Sequence, residues 1–359
     1  MALQFILGPS GAGKSEYIYE DIIRRTMQDE RENVIVLVPE QYSLEIQRKL
    51  VQKHPRGGSF QIDVIGVNRL AYRIFDELHI KPKKVLEDFG KSMLLRKAAQ
   101  EHKEELSLYA GSLDKAGFID EAKSLMSEIY QYDIPRERLR EALQKLDDSE
   151  EARVLARKLQ DMLVIFDAFE EKKGQSFIVA EQMLELLTAA AEQSEMIAGS
   201  EIVLDGFTGF TPIQLNLISV LLRRAKKVTI VLTIDAATYE KKHVAEHELF
   251  ALTKQTIEHL LLTAEQAHVV VKPALLLGKD GCKRWSKGHP LAHLEQNLFR
   301  YPYRVGKDEE QAITITAYDT PAQELTGVAE QIRTLVMEQG YRYRDIAIVS
   351  GNLEETAEF

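Results

Sequence analysis

Cysteine is almost absent from this sequence. Among 359 residues only Cys282 carries a thiol, which excludes a disulfide framework or a thiolate metal site within this chain. No uninterrupted apolar run is long enough to cross a membrane, and Met1 leads directly into a strand-like run rather than a signal peptide. Internal repeats and low-complexity tracts are also missing. These absences predict a cytoplasmic protein with no membrane partner.

An excess of positive charge is missing as well. The formal net charge is −10, which argues weakly against a surface that attracts nucleic acid everywhere but does not exclude a local basic groove. Basic clusters occur near Lys81, Arg223 and Lys283, and each taken singly fits a solvated face balanced by nearby acids. The 45% hydrophobic and 28% charged content is that of a soluble globular protein. A chain of 359 residues exceeds one ordinary core, so two or three domains are expected.

A glycine-rich motif near the start of the chain is the most specific feature of the sequence. The apolar run 3–7 is followed by G-x-x-x-x-G-K-S over residues 8–15 and by a helix-like segment over 16–30. This order of strand, glycine loop and helix is the context that a phosphate-binding P-loop requires. A glycine-rich strand-to-helix turn without a ligand is the alternative explanation.

Each residue type in this motif has a physical role in binding phosphate. Gly8, Gly11 and Gly13 allow backbone torsions that turn successive N–H groups toward an anion. The start of the helix presents free N–H groups and its positive dipole end to the same anion. Lys14 is predicted to reach the β- and γ-phosphates, and the Ser15 hydroxyl to coordinate Mg²⁺.

Alternating strand and helix patterns surround a long helical stretch. Buried β-branched or apolar runs typical of parallel strands occur at 33–39, 61–65, 201–207 and 227–233. Between residues 86 and 192 strand signals vanish and apolar positions recur at helical spacing. The predicted organisation is a core domain over 1–85 and 195–287, a helical insertion domain over 86–194, a linker over 288–311, and the start of a second domain over 312–359. Strands at 313–317 and 345–350 are expected in that second domain, and the chain is expected to be a truncated fragment of a larger protein.

A second nucleotide-site residue follows the strand near 201–204. Asp205 is placed to hold Mg²⁺ together with Ser15, but the next residue is Gly206, where helicase-type motors usually have a catalytic glutamate. Loss of a general base removes about 10²–10⁴-fold of rate while leaving binding largely intact. The sequence thus predicts a site that holds Mg-ATP and hydrolyses it slowly or not at all. Two alternatives stay open: Asp205 merely caps a turn, or a displaced glutamate lies elsewhere.

The order of these elements resembles the B-subunit family of AddAB-type (RexAB-type) bacterial helicase–nucleases. The stretches that carry the resemblance run the length of the chain and lie at 8–15, 37–41, 68–73, 205–212, 291–295 and 340–348. The stretch 205–212 is the most specific, because it keeps a helicase framework while lacking the glutamate. Ser350 and Gly351 stand where active relatives carry an arginine that contacts the γ-phosphate, a second departure from an active motor.

The resemblance implies a fold and a role. The fold would be α/β: a P-loop NTPase (UvrD-like superfamily-one helicase) parallel sheet with a helical insertion domain and the start of a second RecA-like domain. The role would be in DNA repair by homologous recombination, in a heterodimer with an A subunit that is the motor. That heterodimer unwinds and degrades broken duplex ends until it meets a Chi sequence. The nuclease domain and its iron–sulfur cluster would lie in a carboxyl-terminal part outside these residues. Nuclease activity and an iron–sulfur cluster are therefore not assigned to this chain.

In folds of the kind implied, loops at the strand ends carry single-stranded DNA across the sheet. The candidate DNA-binding residues are Gln41, Ser43, Asn68, Arg69, Tyr72 and Phe210. Hydroxyl and arginine groups can hold phosphate, aromatic rings can stack on bases, and glutamine or arginine can read base edges. Tyr72 and Phe210 could instead be core aromatics, and Arg69 could be buried in a structural ion pair.

Three further hypotheses are kept for comparison. The pattern H-x-x-E-H over residues 243–247 matches a zinc-protease motif, but its charged surroundings favour an exposed face over a metal site. An active P-loop ATPase or kinase is the rival from the enzyme class, although the long helical stretch fits a kinase poorly. A purely structural partner of the A subunit is the third hypothesis. No catalytic residue is predicted, and the only cofactor expected within this chain is Mg-ATP.

Overall fold

The structure is a computed structural model of the chain. It describes residues 1–29, 31–147, 149–174, 176–278, 281–286, 288–309 and 311–351. Two compact units are present, Met1–Lys287 with Phe299–Tyr301 and Gly288–Leu298 with Pro302–Phe359. Among the helices of the described ranges, none is both long enough and apolar enough to cross a membrane.

A seven-stranded sheet is the centre of the first unit. Its strands are β1 (Ala2–Gly8), β2 (Asn33–Leu37), β3 (Ile62–Ile65), β6 (Ser200–Leu204), β7 (Lys227–Thr233), β8 (Val270–Val271) and β9 (Leu275–Leu276). The order in space is β3-β2-β6-β7-β1-β8, and β9 also pairs with β1. All of these pairs are parallel. The predicted α/β class with a parallel sheet is confirmed.

Helices cover both faces of this sheet because successive side chains of each strand point to opposite sides. On one face Ile6, Val36 and Val203 lie in a core with α1 (Lys14–Gln28) and α2 (Ser43–Lys53). On the other face Phe5 and Leu37 lie in a larger core. The helices of that face are α3 (Val67–Glu77), α8 (Ala180–Ala191), α9 (Glu195–Ala198), α10 (Pro212–Arg224) and α12 (Ala251–Gln266); the short α11 (Ala236–Glu240) follows β7.

The long helical stretch has its own apolar core. Its helices are α4 (Asp88–Glu101), α5 (Ala116–Gln131), α6 (Arg136–Lys145) and α7 (Glu150–Lys173), with a short 3₁₀ turn at Lys103–Glu105. Leu95, Ile119 and Phe169 are among the buried residues that α4, α5 and α7 contribute to this core. One detail differs from the sequence prediction, because β5 (Phe177–Ile178) pairs in parallel with β4 (Lys84–Val85). A two-residue strand is too short to give a sequence pattern.

The second unit contains α13 (Pro290–Asn297), α14 (Pro321–Met337) and a 3₁₀ turn at Tyr343–Asp345. The strands expected at 313–317 and 345–350 are wrong, because residues 311–318 and 346–350 form neither helix nor strand. A strand needs a neighbour to pair its N–H and C=O groups. None pairs with these segments in the described residues, and Ile315 and Val349 are almost fully exposed.

Candidate functional site

The loop between β1 and α1 has the backbone that a phosphate cradle needs. Gly11 (φ +73°) and Gly13 (φ +85°) both adopt the left-handed conformation, which costs other residues free energy. Within the described residues, the N–H groups of Gly11, Gly13 and Ser15 have no hydrogen-bond acceptor. A Cβ at Gly8 would lie 2.8 Å from the carbonyl oxygen of Leu277, so this glycine permits close backbone packing. The loop therefore offers unused donors at the start of a helix.

Lys14 is held by the same loop. Its Nζ donates hydrogen bonds to the carbonyl oxygens of Gly8 and Pro9, each at 2.9 Å. These bonds fix the ammonium group at the mouth of the glycine loop. A bound anion would compete with two carbonyl groups for this cation.

Asp205 stands directly after β6 and is almost completely buried. Its N–H donates to the carbonyl oxygen of Leu37 at 3.0 Å, which ties it to the end of β2. The Tyr19 hydroxyl donates to Asp205 Oδ2 at 2.7 Å. Burial, and then the neighbouring Asp205 carboxylate, raise the pKa of Tyr19 far above its ordinary value, so this hydroxyl remains protonated. Tyr19 thus occupies one carboxylate oxygen of Asp205, the predicted Mg²⁺ ligand.

Tyr19 was not singled out by the sequence. Helical spacing gave a signal that could have found it, because Tyr19 is four residues after Ser15 on α1 and therefore shares its face. That face is the one turned toward Asp205, as the hydrogen bond shows. The partner, however, is 186 residues away in sequence, and only the folded sheet brings the two together.

One cleft of about 530 Å³ contains most of the predicted nucleotide-binding residues. The predicted residues that line it are Gly11, Gly13, Lys14, Ser15 and Asp205. Of the six predicted, only Gly8 is not in the lining; it accepts the Lys14 hydrogen bond from the end of β1. Lys49, Lys283 and Arg284 also line the cleft. Its volume is within the usual range of small-molecule sites.

The backbone at Gly206 is itself built for glycine. Its φ is +83°, and a Cβ added there would lie 3.3 Å from Pro39 Cδ and 3.9 Å from Tyr42 Cδ2. A glutamate at this position would need a left-handed backbone and would crowd the loop after β2. The backbone conformation at position 206 therefore does not suit the glutamate that is missing there.

The loops after β2 and β3 are joined by a carboxylate that the sequence did not reveal. Glu40 Oε1 accepts a hydrogen bond from the N–H of Asn68 at 2.9 Å, in the first turn of α3. Glu40 begins a 3₁₀ turn, Glu40–Tyr42, in which Gln41 is exposed. Ser43 starts α2, and its hydroxyl donates to the carbonyl oxygen of Glu40 at 2.8 Å. The two loops are thus adjacent at the carboxyl ends of their strands.

The candidate residues on α3 are exposed. Asn68 and Arg69 are exposed, and Arg69 forms no ion pair with any residue that the structure describes. Tyr72 is 50% exposed and meets the Phe75 ring edge-on, with centroids 6.5 Å apart. Neither the core alternative for Tyr72 nor the buried ion pair for Arg69 agrees with this geometry.

Phe210 follows β6 and is partly buried. Its ring lies 5.4 Å from that of Phe207 and packs against the main core. Phe210 also lines a groove of about 900 Å³. Asn68 lines a separate cavity of about 260 Å³ that also includes Thr211, the N-cap of α10. The six candidates therefore lie at the carboxyl ends of β2, β3 and β6 without sharing one pocket.

The H-x-x-E-H pattern lies in a segment that is not helical. His243, Glu246 and His247 are all exposed, whereas the protease motif requires a helix to place its ligands on one face. No group of three or more His, Cys, Asp or Glu side chains in the described parts of the chain is arranged to hold a metal ion.

Comparison with known proteins gives consistent relatives. A protein of Lachnoclostridium phytofermentans that is named as the B subunit of an ATP-dependent helicase/deoxyribonuclease is 39% identical over 358 residues, which are 99% of this chain and 31% of that protein. Proteins of the same name from Alkaliphilus metalliredigens and Clostridium novyi are 32% and 30% identical over 355 and 354 residues, each 99% of this chain and 30% of the relative. The chain thus spans about three tenths of the length of the curated relatives it matches.

The family described as "ADDB, N-terminal" matches residues 5–295. This range includes the glycine loop, Asp205 and the three strands whose ends carry the exposed candidates. It extends over most of the chain, and the relatives align with nearly all of it. The chain therefore belongs to the ADDB N-terminal family.

Proposed function

We propose that this chain is the helicase-like part of the B subunit of an ATP-dependent helicase/deoxyribonuclease, and that it holds nucleotide and single-stranded DNA without acting as a motor. One observation carries the proposal. Lys14 and Asp205 line the same cleft, while the residue after Asp205 is a glycine with φ +83°. A nucleotide cradle is combined with a backbone conformation that does not suit the usual catalytic glutamate.

The residues of the cleft suit Mg-ATP. The loop N–H groups and Lys14 are donors for phosphate oxygens, and Ser15 and Asp205 would hold Mg²⁺. Bound Mg-ATP would supply the polyphosphate charge and the metal that link the glycine loop to Asp205. For this, Lys14 would exchange its two carbonyl acceptors for phosphate, and Asp205 would keep Oδ2 on Tyr19. We expect these contacts to contribute free energy of Mg-ATP binding and not to promote its hydrolysis.

The other carboxylate in the cleft is a poor candidate for a displaced base. Among the described residues that line it, Glu16 is the only acidic side chain besides Asp205. Glu16 is about half exposed and forms an ion pair with Lys53. A solvent-exposed carboxylate held in an ion pair with an ammonium group is poorly placed to accept a proton from an attacking water. This supports binding with little hydrolysis.

The exposed edge supports binding of single-stranded DNA. Gln41, Ser43, Asn68, Arg69, Tyr72 and Phe210 combine phosphate donors, stacking surfaces and base-edge readers at the carboxyl ends of three neighbouring strands. A sequence-specific sensor needs such readers, whereas a sliding motor must avoid them. We therefore extend the proposal to recognition of a Chi sequence by this edge.

The domain organisation, partner and substrate that we propose follow from membership of the family. The sheet would be that of a UvrD-like superfamily-one helicase, with a core domain over 1–85 and 195–287, an insertion over 86–194, a linker over 288–311 and a second RecA-like domain starting at 312. An A subunit would be the partner, and broken duplex ends the substrate of the complex in the cytoplasm. The nuclease and its iron–sulfur cluster would belong to a part of the protein outside this chain.

ATP turnover measured with and without single-stranded DNA tests the proposal. We expect binding of ATP, with turnover far below the rate of about 1 per second that motors reach, and DNA binding that Arg69→Ala weakens. Arg138→Ala, which removes the same charge at another exposed position, is the matched control. Motor-like turnover would establish the active ATPase instead, and DNA binding unchanged by Arg69→Ala would favour the purely structural partner.

A further inference from the structure

A four-residue segment, Cys282 to Trp285, lies against the glycine loop; we name it the strap. The N–H groups of Lys283 and Arg284 both donate to the carbonyl oxygen of Gly11, at 3.0 and 3.2 Å. Cys282 Sγ donates to the carbonyl oxygen of Ser10 at 3.6 Å. Three bonds thus attach the strap to two consecutive loop residues.

The loop glycines leave room for the strap as well as for a ligand. A Cβ at Gly11 would collide with Cys282 Sγ, and a Cβ at Gly13 would lie 3.2 Å from Lys283 Cδ. The Lys283 side chain therefore runs along the loop at the point where α1 begins. Any side chain at these glycines would push the strap away.

The strap brings two cations to the cleft, and neither has an ion-pair partner in the described part of the chain. Lys283 and Arg284 both line the cleft, both are exposed, and neither forms an ion pair with another residue that the structure describes. The Arg284 guanidinium lies 5.7 Å from the centre of the Trp285 ring, which stabilises its position through a cation–π contact.

The charges of the cleft do not balance. Its cationic side chains are Lys14, Lys49, Lys283 and Arg284, and its anionic side chains are Glu16 and Asp205. Lys49 and Glu16 have ion-pair partners outside the cleft lining, Glu45 and Lys53, and Asp205 accepts from Tyr19. Four cations against two carboxylates give the lining a net charge of +2, and the strap supplies two of the four cations. A cleft with a net positive charge attracts anions and raises their local concentration.

We propose that Lys283 and Arg284 contact the polyphosphate chain of a nucleoside triphosphate, so that the strap is part of the nucleotide site. The inference rests on the proposed function and names two residues that the glycine-loop motif does not contain. The loop supplies N–H donors and Lys14 from one side, and the strap supplies an ammonium and a guanidinium group beside it. Guanidinium groups bind phosphate oxygens through paired hydrogen bonds.

Nucleotide titrations of the 359-residue chain test the strap. Calorimetry would compare ATP and ADP binding to the unsubstituted chain, to K283Q/R284Q, and to R138Q/K242Q, which removes the same charge at exposed positions away from the cleft. We expect K283Q/R284Q to weaken ATP binding about ten-fold or more and ADP binding less, because two charge-assisted contacts are lost. R138Q/K242Q should stay within about two-fold, a change too small for a lost contact.

The thiol of Cys282 gives a second readout that does not depend on turnover. It is the only cysteine in the sequence, so alkylation by iodoacetamide reports on the strap alone. ATP should slow this alkylation several-fold in the unsubstituted chain and much less in K283Q/R284Q at the same ATP concentration. Circular dichroism establishes that each variant is folded.

The outcomes separate the strap from the site. Suppose that the folded chain binds ATP and that Lys14→Ala abolishes this binding. If K283Q/R284Q then binds ATP as before, and ATP does not slow the alkylation of Cys282, the strap proposal is overturned and the nucleotide site stands. If the folded chain binds no ATP at all, the nucleotide part of the proposed function fails, and the strap proposal fails with it.

Discussion

At the scale of single residues, Gly206 sets what the cleft can do. Replacement by glutamate restores the carboxylate that motors carry, but the residue must then adopt φ +83° beside Pro39. We expect Gly206→Glu to lower the free energy of unfolding by about 1–2 kcal/mol, the cost of a left-handed non-glycine residue. Turnover of ATP should stay far below the rate of a motor, because the left-handed backbone and the contact with Pro39 do not suit a glutamate side chain at this position. Urea unfolding and a steady-state ATPase assay measure both effects.

Two controls isolate the backbone effect. Gly206→Ala should show a similar loss of stability without a carboxylate. Gly57→Ala changes a glycine with φ +72° that has no neighbouring atom within 4 Å, so it measures the conformational cost alone. Hydrolysis appearing in Gly206→Glu with unchanged stability would contradict the account of a chain path built for glycine.

Tyr19 gives a prediction about pH. Its pKa is raised in the folded chain by burial and by Asp205, so the unfolded chain releases the hydroxyl proton first as the pH passes about 10. The stability from Tyr19 is therefore present below that pH and is lost as the pH rises above it. Tyr19→Phe should cost about 1.5–3 kcal/mol at neutral pH, the usual range for a hydrogen bond to a charged group. It should also flatten the fall of stability above about pH 10, where the hydroxyl ionises in the unfolded chain but not in the folded one.

Tyr17→Phe is the matched control for this prediction, because Tyr17 is exposed on the same helix. It should leave both the neutral stability and the alkaline slope unchanged. Equal alkaline slopes in Tyr19→Phe and the unsubstituted chain would show that the hydroxyl does not govern this transition.

The site was predictable only in the parts that local pattern determines. The glycine loop, Lys14 and Ser15 follow from one contiguous motif, and Asp205 follows from a strand ending in an acid. Tyr19, Glu40 and the strap cations were not predicted as site residues, because their roles depend on chain segments that meet only in the folded sheet. In the sequence, Lys283 and Arg284 stand out only as part of a basic cluster.

At the scale of elements, one buried carboxylate fastens the helical stretch. Asp161 on α7 is 1% exposed and accepts hydrogen bonds from the N–H groups of Ser107, Leu108 and Tyr109 and from the Ser107 hydroxyl. Burial alone would raise the pKa of Asp161, but these hydrogen bonds lower it below its ordinary value. The carboxylate thus holds the turn before α5 against α7.

We expect Asp161→Asn to destabilise the chain by about 1–3 kcal/mol at neutral pH, because an amide group would face N–H donors. The contribution of Asp161 is present above about pH 4 and is lost as the pH falls through its lowered pKa. The difference between the two proteins should therefore shrink as the pH falls below about 4. Thermal unfolding at several pH values measures this, with the exposed Asp114→Asn as control. A difference that stays constant with pH would contradict the assigned role.

The elements also show what periodicity can and cannot predict. The runs at 33–39 and 227–233 became central strands because neighbours pair with them on both sides. Residues 313–317 were also predicted to form a strand, yet they form none, because no strand of the described chain lies beside them. Hydrophobic pattern predicts a strand only where the fold supplies a partner.

At the scale of the whole molecule, a net charge of −10 restricts how DNA can be held. Such a chain repels DNA at long range, so binding must come from a few local cations together with stacking. On the proposed edge these contributions are divided between neighbouring residues of one helix. Arg69 is an exposed cation, and Tyr72 is a half-exposed ring one turn later.

The salt dependence of binding separates charge from stacking. For single-stranded DNA the logarithm of the binding constant falls with the logarithm of salt concentration, with a slope of about −0.7 per phosphate contact. Arg69→Ala should weaken binding and reduce the size of this slope by about 0.7. Tyr72→Ala should weaken binding by about 1–3 kcal/mol with the slope unchanged, because stacking releases no counterions. Fluorescence anisotropy with a labelled oligonucleotide at several salt concentrations measures both.

If Tyr72→Ala changes the slope as much as Arg69→Ala does, the Tyr72 ring positions the Arg69 cation rather than stacking on a base, and the edge binds only the backbone of DNA. If neither variant changes binding, the DNA face lies elsewhere on the molecule.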